Sequence, residues 1–181
     1  MHYGTPLWLD NGFINTDYPQ YVAEYAAAVA DRYRDRLSIF TPLNEPLLTM
    51  MYCGQFAYWP PYLSGDDGFV KLLKGVTKGM VGTQNAVSSM NSDATFVNVE
   101  ASFRFGGDTD AYHNEVEFLK QRRFLVEDLI MGHMNDTSPL TPWLAENGFT
   151  DNDLQWYVDN AVTPDVMGVN YYPLVSTVQY I

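Results

Sequence analysis

Two carboxylates and two amides close short apolar runs in this chain. Leu37 to Leu43 runs into Asn44-Glu45-Pro46, Ala94 to Val99 runs into Glu100, and Asp165 to Val169 runs into Asn170-Tyr171-Tyr172. A carboxyl group set between an apolar strand and Pro46-Leu47-Leu48 has the surroundings that general acid–base chemistry requires. An apolar setting or a neighbouring carboxylate keeps such an acid protonated near neutral pH. Delivering a proton to a leaving oxygen is the kind of step that needs this group, and an amide one residue earlier can hydrogen-bond a neighbouring hydroxyl. The structural alternative for every one of these residues is a polar cap on a strand end.

Other constellations are weaker. His2, His113 and His133 show no H-E-x-x-H or similar spacing, so a metal site is not expected. Gly106-Gly107 is not followed by G-K-[ST], which gives no phosphate cradle and reads as a surface turn. No cofactor is implied. Cys53, the single cysteine, reads as a small buried hydrophobe, fits a reducing compartment and excludes an intrachain disulfide. Trp59, beside Pro60, Pro61 and Tyr62, reads either as an aglycone-side ring or as packing under a loop.

The elements that must position these residues follow from periodicity. Tyr21, Val22, Tyr25, Ala26, Val29, Ala30 and Tyr33 predict a helix from Asp17, with Asp17 and Gln20 as a capping box. A strand over 37–43 is followed by a helix over 69–90, in which Gly75, Gly79 and Gly82 are unfavourable. A strand over 94–100, a helix over 110–132 stopped by Gly132, a short helix over 151–160 and a strand over 165–172 complete the pattern. Strand, helix, strand, helix, strand predicts an α/β fold with a parallel sheet and crossover helices. In such folds ligands sit at the carboxyl ends of strands, where the polar residues gather.

Composition bounds the function. Ten Lys+Arg against 22 Asp+Glu give a formal charge of −12, so nucleic acid and anionic membranes are not expected partners. No apolar run is long enough to span a membrane, and the N-terminus has neither basic nor apolar leader character, so a cytoplasmic location is expected. Thirteen tyrosines and four tryptophans suit surfaces that are apolar on one side and wet on the other, as sugar rings are, and equally suit an aromatic core.

Three segments, in order, carry a resemblance. Thr41-Pro42-Leu43-Asn44-Glu45-Pro46 resembles the N-E-P motif that ends the fourth strand of family 1 glycoside hydrolases. His2-Tyr3-Gly4-Thr5-Pro6-Leu7-Trp8-Leu9 is similar to their H-W-D-L-P-x-W-L segment, with Tyr3-Gly4 in place of Trp-Asp. Asp165 to Tyr172 is similar to their sixth-strand D-F-x-G-x-N-Y-Y. The resemblance implies a single partial TIM-type (β/α) barrel over residues 1–181, reaching from about the third to the sixth strand. It implies hydrolysis of O-glycosidic bonds of β type, with Glu45 as general acid/base and His2, Asn44, Asn170 and Tyr172 binding the carbohydrate substrate.

A retaining mechanism needs a second carboxylate about 5 to 5.5 Å from the first. The resemblance places it in a seventh-strand E-N-G motif that this chain does not reach. Ala145-Glu146-Asn147-Gly148 precedes the sixth strand and is discounted, which leaves Glu100 as the other strand-end carboxylate. A non-catalytic sugar-binding or structural module, or an inactive piece of a larger barrel, is therefore the competing expectation. A partial barrel also exposes strand edges and interior apolar surface, so a homo-oligomer is expected.

Overall fold

A computed structural model describes residues 4–107 and 112–180. Its first long helix, α1 (Tyr18–Arg32), buries Tyr18, Val22 and Ala30 on one stripe. The expected Asp17–Gln20 capping box does not form. Asp17 takes a right-handed helical backbone, not the extended geometry from which a side chain reaches back, and Gln20 donates to Glu24 instead. Asn15 shapes the turn before the helix, where its Oδ1 accepts the Asp17 N–H at 2.8 Å, and the helix has no side-chain cap.

The strand expected over 37–43 contracts to β1 (Ile39–Phe40). Pro42 has no N–H to give to a ladder, and the chain bulges there. Phe40 pairs with Phe96 and the next pairing is Asn44 with Val99, so residues 41–43 stand against 97 and 98 alone. Immediately afterwards come α2 (Pro46–Met50) and a π-helical turn, Met51–Gln55, neither of them foreseen.

Helix α3 (Gly65–Met90) starts four residues before the expected Phe69. The glycines that weakened its reading let other elements approach closely. A Cβ on Gly79 would lie 2.8 Å from the Tyr18 ring, and one on Gly75 would lie 2.5 Å from the Phe13 carbonyl oxygen. Strand β2 (Thr95–Ala101) follows, then β3 (Arg104–Gly107), so Gly106-Gly107 ends a strand and is not the expected surface turn. The single helix expected over 110–132 is two, α4 (His113–Arg122) and α5 (Leu125–Ile130), with Gly132 in the left-handed conformation after them as expected. Helices α6 (Thr141–Glu146) and α7 (Asp151–Asp159) lead to β4 (Val166–Asn170) and β5 (Thr177–Tyr180).

All pairing between these strands is parallel, in sheets β1-β2-β4 and β3-β5. In the larger sheet the spatial order follows the chain order, with helices between successive strands. That continuous winding is the pattern of a barrel; an open doubly wound sheet reverses it. The chain is thus a mixed α/β structure of partial-barrel type.

Along β2, Phe96, Asn98 and Glu100 are buried beneath the helices, whereas Thr95, Val97 and Val99 are half-buried on the opposite face, the one that looks inward in a barrel. The main core lies between α1, α3 and the helices from α5 to α7, around Phe69, Leu72, Leu73, Leu125, Leu129 and Tyr157. Among the described residues no helix is long and apolar enough to cross a membrane.

Candidate active site

Glu45 is the residue on which the site converges. Pro46 opens α2, where its fixed φ is suited to a first helical position, and it disfavours the right-handed helical backbone at the residue before it. Glu45 takes φ 50 and ψ 58, a left-handed conformation that costs a residue with a Cβ about 1–2 kcal/mol. Its neighbours hold it there. Its N–H donates to the Val99 carbonyl at 2.8 Å and its own carbonyl accepts the Thr49 N–H at 3.0 Å.

The side chain is 5% exposed. Its Oε1 accepts from Asn170 Nδ2 at 2.9 Å and from Tyr172 Oη at 3.0 Å. Asn170 Nδ2 lies also 3.2 Å from Asn44 Oδ1. Register explains the meeting: Asn44 pairs with Val99, Val99 with Gly168 and Ala101 with Asn170, so the two asparagines share the sheet face of Val99 and Ala101. Ala101 presents only a methyl group between them. Four of the expected residues, Asn44, Glu45, Asn170 and Tyr172, therefore form one hydrogen-bonded group at the carboxyl ends of β1 and β4.

Glu100 stands apart from that group. It shares the opposite sheet face with Phe96 and Asn98, where it is 8% exposed. Its Oε1 accepts the Ala101 N–H and its Oε2 the Leu47 N–H, each at 2.9 Å. Burial pushes its carboxyl up to about 8, against the pull of those two N–H groups, and the negative charges of Glu127 and Glu45 add to the rise. Considered from sequence as a second carboxylate, Glu100 has both oxygens engaged with backbone N–H groups and none with Asn44, Asn170 or Tyr172.

The sequence reading missed Glu127, which accepts from Asn98 Nδ2 at 2.8 Å beneath the sheet. Burial also raises its carboxyl. An amide at a buried position of an apolar strand was the available signal, since Asn98 had to find a polar partner inside.

His2 lies outside the described residues. Trp59 packs its ring against Tyr52, with centroids 4.8 Å apart, and rests on the core. With Leu9, Phe13 and Cys53 it lines an open apolar groove of about 710 Å³. None of Asn44, Glu45 and Asn170 lines that groove, so the groove and the polar group are separate features. Cys53 is buried as expected, and burial pushes its thiol up to about 11. Among the described residues no three His, Cys, Asp or Glu side chains gather as a metal site would require.

Comparison with known proteins places the fold. No protein-family model matches the sequence, and no curated protein does. Solved structures match well. The beta-glucosidase from Thermotoga maritima in complex with methoxycarbonyl-substituted glucoimidazole superposes with a TM-score of 0.80 at 18% identity, over 96% of this chain and 38% of its own. The same enzyme in complex with azafagomine gives 0.79 at 16% identity, over 92% and 37%. With deoxynojirimycin the values are 0.78 and 17%, over 92% and 38%. The chain thus spans less than two-fifths of the length of these glucosidases, and at such identity the likeness is one of fold: part of a glycosidase (β/α) barrel.

Proposed function

We propose that this chain carries the acid/base part of a family 1-like glycoside hydrolase site, acting on β-type O-glycosidic bonds. The observation that supports it is the buried Glu45 carboxyl, hydrogen-bonded to Asn170 and Tyr172 and flanked by Asn44 at the carboxyl ends of parallel strands. In this reading Glu45 Oε2 hands a proton to the glycosidic oxygen as the bond to the anomeric carbon breaks. Asn170 and Tyr172 fix the carboxyl's orientation through Oε1. The Asn44 amide, with His2, contacts sugar hydroxyls, whereas Trp59 takes the packing role that its contact with Tyr52 and the core gives it. Sugar hydrolysis of this kind needs no cofactor.

The nucleophile is not among the residues gathered on Glu45. The alternative reading is a non-catalytic sugar-binding or structural module, or an inactive piece of a larger barrel. A cytoplasmic setting fits the single buried cysteine.

The test is hydrolysis of a panel of aryl β-glycosides by the purified chain beside Glu45→Gln. Turnover that falls at least about 10²-fold in Glu45→Gln, with sugar binding retained, is the expected result. Saturable sugar binding with no turnover in either protein would favour the binding module. Neither turnover nor binding would overturn the hydrolase reading in favour of the structural module.

A further inference from the structure

Glu45 is bracketed by two backbone anchors that reach across from β2. Its own N–H is held by the Val99 carbonyl, and two residues later the Leu47 N–H is held by Glu100 Oε2. Leu47 lies in the first turn of α2, where N–H groups have no partner within the helix. The other Glu100 oxygen returns to the Ala101 N–H, one residue along β2. Ala101 is the register partner of Asn170, and the Ser102 N–H donates to the Asn170 carbonyl. One carboxylate therefore joins the start of α2, which carries Glu45, to the strand end that sets the depth of Asn170.

We propose that Glu100 is the positioning residue of this site: through the Leu47 and Ala101 N–H groups it holds Glu45 in its left-handed conformation with its carboxyl against Asn170 and Tyr172. The role rests on reading Glu45 as the acid/base. Leu47 and its neighbours in sequence Leu43 and Met50 are all buried, so an uncharged side chain that cannot reach the Leu47 N–H leaves that group without a partner. A left-handed residue with a Cβ persists where its surroundings over-determine it, and removing one anchor releases it.

The groups facing Glu100 are Glu45 from the head of α2 and Glu127 from α5, with Arg123, between α4 and α5, on the rim of the same cleft. Burial holds the Glu100 carboxyl at about 8, so its loss of a proton falls within an accessible range. Ionisation strengthens its acceptance of both N–H bonds. The Glu45 environment is expected to tighten as pH rises through that range.

The experiment compares the chain with Glu100→Gln, Glu100→Asp and Glu100→Ala by ¹³C and ¹⁵N NMR, with aryl β-glucoside hydrolysis measured alongside. In the parent chain the Leu47 and Ala101 amide signals are expected to move together with one midpoint near 8, and the Asn170 side-chain amide signal with them. In Glu100→Gln that shared step disappears. In Glu100→Ala the Leu47 amide exchanges at least about tenfold faster and the Asn170 side-chain amide shifts.

With turnover present, kcat falls by about 10²-fold in Glu100→Ala with little change in KM, and Glu100→Asp recovers part of it. The proposal is overturned if, above pH 8 where Glu100 is ionised, the Glu45 and Asn170 signals are unchanged in Glu100→Gln, which keeps the shape of the side chain. No turnover in any of the proteins would count against the hydrolase reading alone, because the NMR comparison decides the positioning role without it.

Discussion

Tyr172 Oη donates to Glu45 Oε1 at 3.0 Å across 127 positions of the chain. The contact exists because β4 runs parallel to β2 and ends at Asn170, which leaves Tyr172 two residues beyond the sheet and able to lean back over the end of β1. Tyr172 is 47% exposed, yet its hydroxyl meets the same buried Glu45 oxygen as the Asn170 amide.

Tyr172→Phe removes one of the two donors on Oε1 and leaves the Asn170 amide in place. Turnover of aryl β-glycosides should fall by about tenfold, because the carboxyl loses part of its fixed orientation. Stability should change by about 1 kcal/mol, the worth of one hydrogen bond, because Asn170 still donates to the same oxygen. Steady-state kinetics and urea unfolding on the same preparation check both parts. A large stability loss would mean that the contact holds the fold together and does not tune the site.

Legibility in the sequence was uneven for physical reasons. The order of strands and long helices could be read because α1, α3 and β2 each keep one period over many residues, which few alternatives mimic. The motifs name Asn44, Glu45 and Asn170 as site residues, but not the contacts among them, which depend on a bulge at Pro42 that shifts Asn44 into register with Val99. Glu100 and Asn98 sit at alternate positions of one strand, and periodicity alone puts both on one face. What hid their role was that Glu100's partners are backbone N–H groups, which carry no residue signature. The break between α4 and α5 was also hidden, because Arg123 and Phe124 have no helix-breaking character and tertiary packing decides it.

Stability should fall as pH rises from about 4.5 toward 8. The unfolded Glu100 titrates near 4.5 and the folded one near 8, so between them the native state holds a proton that the unfolded state has lost. The unfolding free energy then declines by up to about 1.4 kcal/mol per pH unit, and Glu127, raised in the same direction, adds to it. Urea unfolding at a series of pH values should show the decline, and Glu100→Gln should reduce it. A flat profile in the parent chain would show that Glu100 titrates normally.

Two glycines on α3 should respond with opposite signs. Gly79→Ala places a methyl group 2.8 Å from the buried Tyr18 ring and 3.0 Å from Val22, and should cost about 1–3 kcal/mol despite the better helix former. At Gly82 the nearest atoms lie at 3.4 and 3.5 Å, and Gly82→Ala should gain up to about 1 kcal/mol. Thermal unfolding of the two variants distinguishes close packing of α1 on α3 from simple helix propensity.

Asp153 ties α7 to α3. It closes the capping box with Thr150 and takes Lys74 at 2.7 Å and Lys78 at 3.2 Å. Burial alone would raise its carboxyl, but Lys74, Thr150 and Lys78 outweigh it and hold the group well below the usual carboxylate range. Asp153→Ala should cost about 1–2 kcal/mol at neutral pH. The sign is that of a depressed acid: the contribution is complete above the unfolded value near 4 and fades as pH falls below it. Unfolding of parent and variant at pH 7 and near pH 3 should show the gap narrowing.

Among the described residues β1 and β4 each pair only with β2 in the larger sheet, which leaves a free edge on either side. Ile39 on one and Val169 on the other are 66% and 67% exposed. Unpaired parallel edges with apolar side chains favour pairing with another chain, whereas a formal charge of −12 opposes the approach of a second copy. The balance predicts association that strengthens as salt screens the repulsion, the reverse of an assembly held by ion pairs. Sedimentation velocity across protein and salt concentration should show it, and Ile39→Lys with Val169→Lys should weaken it by at least about tenfold, because a charge on each edge must be desolvated when the edges meet. A parent chain that stays monomeric at about 10⁻⁴ M in high salt would mean that its edges are protected by something other than a second copy.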